Sequence, residues 1–120
     1  MNIYKPGSNL GELKPSNFLE EIGARILEGD PKSVSRTDFG DSIDAGGRLC
    51  SGVYGVTPGR FEVDYSWNEI ATVLEGRIRL TDSNGNVNEI GPGESFFVAA
   101  GETINWEVLE ETRKCFFYFM

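Results

Sequence analysis

Apolar and polar residues alternate over short stretches of this chain, and glycine and proline interrupt them before a 3.6-residue stripe can run for long. In RFEVDY, Phe61, Val63 and Tyr65 alternate with Glu62 and Asp64, which gives a strand one apolar and one charged face. Further strands are read in ARILEG, RLCSGVYGV, EIATVLEG, RIRLTD, VNEI, SFFVAAG, TINWEVLE and RKCFFYF, with turns at GDP, TPG, SNGN and GPGE. The Asn84–Gly85 pair predicts a type I′ hairpin turn, whose two central positions need positive φ. SNFLEEIG predicts one or two helical turns, with Asn17 as N-cap, Glu20 reaching back to it and Gly23 ending the helix. Residues 32–47 are polar and glycine-rich, and are expected to form a loop or a poorly paired edge.

RKCFFYF is apolar on both faces. Cys115, Phe117 and Phe119 fall on one side and Phe116, Tyr118 and Met120 on the other. A strand of this kind must be covered twice, and the outer cover is expected from the N-terminal forty residues or from a second subunit. Together with Ile70, Thr72 and Leu74, which lie on the side of their strand away from Glu69, it predicts a homodimer. The 120 residues make a single domain, with an N-terminal arm over 1–25 and an all-β sandwich or barrel over 26–120.

Nineteen acidic against 11 basic side chains give a formal charge of −8, which repels phosphate backbones and anionic lipid. Neither nucleic acid nor a membrane surface is expected as a partner. No stretch is long and apolar enough to span a bilayer and MNIYKPGSNL lacks a signal core, so the expected compartment is the cytoplasm. There, Cys50 and Cys115 are expected as buried thiols. Histidine is absent. That removes the usual general base, the commonest transition-metal ligand and every Ser–His or Cys–His nucleophile.

The segments LEGDP at 27–31, GVYGVTPGRF at 52–61, NEIATVLEGRIRLTDSNG at 68–85, GPGESFFVAAG at 91–101 and WEVLEETRK at 106–114 carry a family likeness. In order and spacing the chain resembles the small single-domain cupins related to the cupin regions of ureidoglycine aminohydrolase and of the ethanolamine-utilisation cupin. The resemblance implies a cupin-type jelly-roll β-barrel (double-stranded β-helix), usually dimeric, with a ligand cavity inside. Glu69, six residues and Gly76 reproduce the second half of the first cupin motif. Its two histidine positions fall on Glu62 and Asp64, or on Val63 and Tyr65 with the shorter spacer. The histidine of the second motif falls on Ile104, and Ala99 stands where a proline usually precedes the glycine, here Gly101. Three of the four usual metal ligands are thus replaced, and no metal or other cofactor is expected.

Glu69 is the candidate catalytic residue, a carboxylate sharing a strand face with Ala71 and Val73, where burial is costly unless something pairs with it. The alternative is a solvated strand end, or a structural partnership with a tyrosine or arginine. As an unpaired burden, Glu69 is expected to tolerate Glu69→Gln without loss of stability. Glu62 and Asp64 could join it around Mg²⁺, Ca²⁺ or Mn²⁺, but their alternation with Phe61, Val63 and Tyr65 places them in water. Tyr54, Tyr65, Trp67 and Trp106 are candidate ligand-binding aromatics, each pairing an apolar body with a polar tip, or else core filling. Arg77 and Arg79 are candidate clamps for a carboxylate ligand, or an exposed basic row. Arg113 and Lys114 match the family's Arg-Lys pair; the alternative is an ion pair with Glu107 or Glu110. The expected function is binding of a small polar, carboxylate or ureido molecule in the barrel. The alternatives are a metal-independent or Mg/Mn-dependent amidohydrolase or lyase using Glu69 as acid or base, and a non-catalytic accessory subunit.

Overall fold

The computed structural model describes residues 1–7 and 10–120, residue 44 by its backbone alone. In chain order its elements are β1 (Lys14–Ser16), α1 (Phe18–Glu21), β2 (Arg25–Glu28), β3 (Ser33–Gly40), a 3₁₀ turn (Ile43–Ala45), β4 (Leu49–Val56), β5 (Gly59–Asp64), β6 (Asn68–Thr81), β7 (Val87–Ile90), β8 (Ser95–Val98) and β9 (Thr103–Phe119). All pairings are antiparallel. One path of the sheet runs β1-β3-β4-β9-β5-β2, while β6 pairs β9 and also takes β7 and β8. β9 is the spine. Its first half lies between β5 and the end of β6, and its second half between β4 and the start of β6. This exchange of partners curls the sheet into an all-β jelly-roll barrel.

Several local expectations are corrected. Residues 33–40 form a strand, bonded to β1 on one side and β4 on the other, instead of a loop. EIATVLEG and RIRLTD are one strand, β6, that bends where its register against β9 shifts between Val73 and Ile78. Gly76 sits in this bend at φ 88°, and a Cβ there would lie 2.3 Å from the Glu111 carbonyl oxygen, so only glycine fits. TINWEVLE and RKCFFYF likewise merge into β9. The hairpin at SNGN forms, but only its glycine, Gly85, has positive φ, so it is not type I′. The Asp82 carboxylate accepts from the backbone N–H groups of Asn84 and Asn86 and holds the turn instead. At α1 the backbone N–H of Phe18 donates to Ser16 Oγ at 3.1 Å, and Asn17 makes no side-chain cap.

Two apolar layers lie on either side of the sheet. Phe61, Val63, Tyr65, Val73, Ile78, Trp106 and Val108 point inward into the main core. Outside, Leu10 of the N-terminal segment covers Val53 and Leu74, with Tyr4, Leu13 and Cys115 packed against them. Burying side chains of this size stabilises by about 1.5–3 kcal/mol each. The arm reaches only part of the outer face. Ile70, Phe97, Phe117 and Phe119 stay exposed, although Ile70 stands directly between Phe97 and Phe117 in the ladder.

Candidate functional site

A cavity of about 90 Å³ opens inside the barrel, room for about three waters at their liquid volume. One wall comes from the inward row of β3, where Ser35 and Thr37 present hydroxyls, joined by Ser16 and Ser42. The period of two along KSVSRTDF carries this row, with Val34, Arg36 and Asp38 turned the other way. Aromatic rings form most of the remaining wall, and Glu69 and Lys114 supply its charge.

Glu69 is 3% exposed and Lys114 6%. Lys114 Nζ donates to Glu69 Oε2, while Trp67 Nε1 donates to Oε1 at 3.0 Å, so both carboxylate oxygens are engaged. The ammonium also lies 4.9 Å from the ring centre of Trp106, 5.3 Å from Tyr54, 5.6 Å from Phe96 and 6.0 Å from Phe116. The negative faces of these rings and the carboxylate stabilise a cation at this point, and the pair is neutral as a whole. Glu69 is therefore a partnered charge instead of an unpaired burden, and the expectation that Glu69→Gln is harmless is reversed: it would strand an ammonium in the barrel.

The cavity tyrosines are held neutral. Burial, and then the negative charge of Glu69, push Tyr65 well above the ordinary range, against a hydrogen bond of 3.1 Å from Trp106 Nε1 to its hydroxyl oxygen. Tyr54 is raised for the same leading reason, burial, and shares a 2.6 Å hydrogen bond with Ser33.

The structure thus brings Glu69, Tyr54, Tyr65, Trp67 and Trp106 to one cavity. It places Arg77 and Arg79 elsewhere. Arg77 pairs with Glu89 at 3.0 Å and Arg79 with Glu107 at 2.5 Å, both partly exposed and neither lining the cavity. Glu62 and Asp64 lie on the outer face, where both bind Arg25. Arg113 pairs with Glu75. Lys114 does not meet Glu107 or Glu110; it turns inward to Glu69, because it shares the inward row of β9 with Phe116 and Tyr118. That shared period was the available signal for Lys114, and the Ser35–Thr37 row was the signal for the hydroxyl wall.

The residues present do not fit the metal of histidine-bearing cupins. An ammonium already occupies one oxygen of Glu69, Ile104 is a core side chain, and the other ligand positions hold either Val63 and Tyr65 in the core or Glu62 and Asp64 outside it. Among the described residues no three Asp, Glu or Cys side chains converge on a point.

Residues 44–116 match the EutQ-like cupin domain family. Among solved structures, the chain is similar to the EutQ protein of Clostridium difficile, with 19% identity and a TM-score of 0.62 over 75% of this chain and 69% of that one. A protein of unknown function of the DUF861 family from Pseudomonas syringae is 24% identical with a TM-score of 0.69, over 91% of this chain and 45% of the other. A putative ethanolamine utilization protein from Salmonella typhimurium is 14% identical with a TM-score of 0.60, over 91% and 98%. These likenesses show the fold. Among curated proteins none matches.

Proposed function

Because the chain belongs to the EutQ-like cupin domain family, we propose that it binds a small polar molecule in its barrel without a metal. The observation that carries this reading is the Glu69–Lys114 pair opening on a cavity that Ser35 and Thr37 also line with hydroxyls. An ion pair replaced by apolar side chains of similar volume is often neutral or stabilising for a fold, so keeping one against an open cavity favours a role toward a ligand. Carboxylate and ammonium offer an acceptor and a donor side by side, the complement of an amide, ureido or carbonyl group. The hydroxyls of Ser35 and Thr37 suit a ligand that carries further polar groups. Net charge and the lack of a suitable helix agree with a protein that works away from nucleic acid and lipid: among the described residues no helix is long and apolar enough to cross a membrane. We place it in the cytoplasm. The exposed row of Phe97, Ile70 and Phe117, flanked by Phe119, supports a homodimer through this face.

The test is a screen of small amides, ureido compounds and hydroxylated carbonyl compounds against ¹⁵N-labelled protein. Both tryptophans of the chain line the cavity, so their indole N–H signals report its occupancy directly. Saturable shifts of both are the expected result; binders that shift only surface amides would contradict the reading.

A further inference from the structure

The cavity's lysine is placed to do more than anchor a ligand. We propose that Lys114 forms a reversible Schiff base with a small uncharged aldehyde or ketone, with Glu69 carrying the proton; this rests on the reading of the cavity as a ligand site.

Three observations lead here. Lys114 is one of four lysines; Lys5, Lys14 and Lys32 are exposed, whereas its own Nζ reaches the cavity through the barrel wall. Its contact with Glu69 puts a proton acceptor directly on the amine. The rings of Trp106, Tyr54, Phe96 and Phe116 surround the nitrogen at 4.9–6.0 Å and are positioned to stabilise any cation there.

The chemistry balances within these groups. Glu69 takes a proton from the ammonium, and the amine nitrogen adds to the carbonyl carbon as the C=O π pair moves to oxygen. Proton transfers from nitrogen and from Glu69 leave a carbinolamine with a protonated hydroxyl. The C–O bond then breaks, water leaves, and the nitrogen lone pair forms the C=N bond. Summed up, the ammonium and the carbonyl compound give a protonated imine and water. One positive charge enters and one remains at the same nitrogen. The iminium keeps both its counter-charge and its aromatic surroundings, so the buried site carries no new net charge along the way. An uncharged partner preserves this balance, while an anionic one would add a charge that no further cavity cation meets among the described residues.

The experiment exposes the protein to propanal with cyanoborohydride, followed by intact mass and peptide mapping. A single propyl increment on Lys114, formed about a hundredfold faster than on any surface lysine, is expected. Lys114→Arg, which keeps the cation but cannot form an imine, should lose that increment with its thermal melt still cooperative. Labelling spread over Lys5, Lys14 and Lys32 without preference for Lys114 would overturn the proposal. A parallel titration with propanal alone reads the two indole signals. Shifts without an adduct overturn the covalent step and leave the cavity reading standing; neither shifts nor adduct remove both for this ligand.

Discussion

Lys114 and Glu69 meet across 45 positions of sequence, on neighbouring strands, with both side chains less than a tenth exposed. Their separate fates are therefore coupled. Removing either charge leaves the other desolvated, while removing both leaves an ordinary apolar site.

Glu69→Gln is accordingly expected to lower stability by about 3–5 kcal/mol. The double change Glu69→Gln with Lys114→Met should recover most of it. Urea unfolding of the three variants checks this through a double-mutant cycle; an additive result would mean that the pair contributes nothing as a pair.

Alkaline pH should unfold the protein through its tyrosines. Burial raises Tyr65, Tyr54 and Tyr4, the last to about 12, with its hydrogen bond to Asp38 as the second cause. The folded state then holds protons that the unfolded chain, titrating near 10.0, gives up. Stability is fully present below pH 10 and is lost as pH rises toward the folded-state values. Tyrosinate absorbance should therefore rise together with loss of the barrel. Ionisation of Tyr54 and Tyr65 in a protein that remains folded would contradict the placement.

On the acid side, Asp64 is held down to about 2, first by the Arg25 guanidinium and then by the Thr103 hydroxyl. Its contribution is present above pH 3.8 and fades as pH falls through about 2. Arg25→Ala should move its carboxyl titration upward, read by NMR, with little change in the midpoint of urea unfolding because the pair is exposed. An unmoved titration would show that Thr103 alone suffices.

Phe117→Lys should convert the expected dimer to a monomer with the fold retained, as read by light scattering and circular dichroism. Phe117 is exposed, stands opposite Ile70 in the ladder and stacks on Phe119 at 5.8 Å, so a charge there disrupts an association surface without entering the core. A wild-type monomer would remove the basis for this prediction.

Gly76→Ala should destabilise by about 1–3 kcal/mol for the backbone conformation alone, and further through the 2.5 Å approach of its Cβ to Thr112 Oγ1. A thermal melt settles it. An unchanged midpoint would mean that the bend in β6 relaxes freely.

Where the two faces of a strand differ in chemistry, the chain could be read. RFEVDY is the clear case: Phe61 and Val63 are in the core, while Glu62 and Asp64 are with Arg25 outside. β3 was illegible because its inward row is hydroxyls and its outward row includes Arg36 and Asp38, so neither face announces a core. The cavity aromatics could be nominated individually from their polar tips. Lys114 could not be matched to its partner by proximity in sequence, since Glu107 and Glu110 are near in the chain and Glu69 is near only after β6 and β9 have paired. Likewise the breaks assumed after Gly76 and before Arg113 were bends, because antiparallel partners continue across them.

The spine position of β9 also governs assembly in time. β4, β5 and β6 all precede it in the chain, and each leaves the ribosome with a ladder edge that only β9 can occupy. Until it arrives, those edges and the inward apolar rows are open to other chains, and every closing contact spans a long loop. Barrel closure therefore waits on β9, and the open edges are vulnerable to aggregation until it pairs. The strand that ends the wait also delivers Lys114 to Glu69, so the polar centre of the cavity forms only as the barrel shuts.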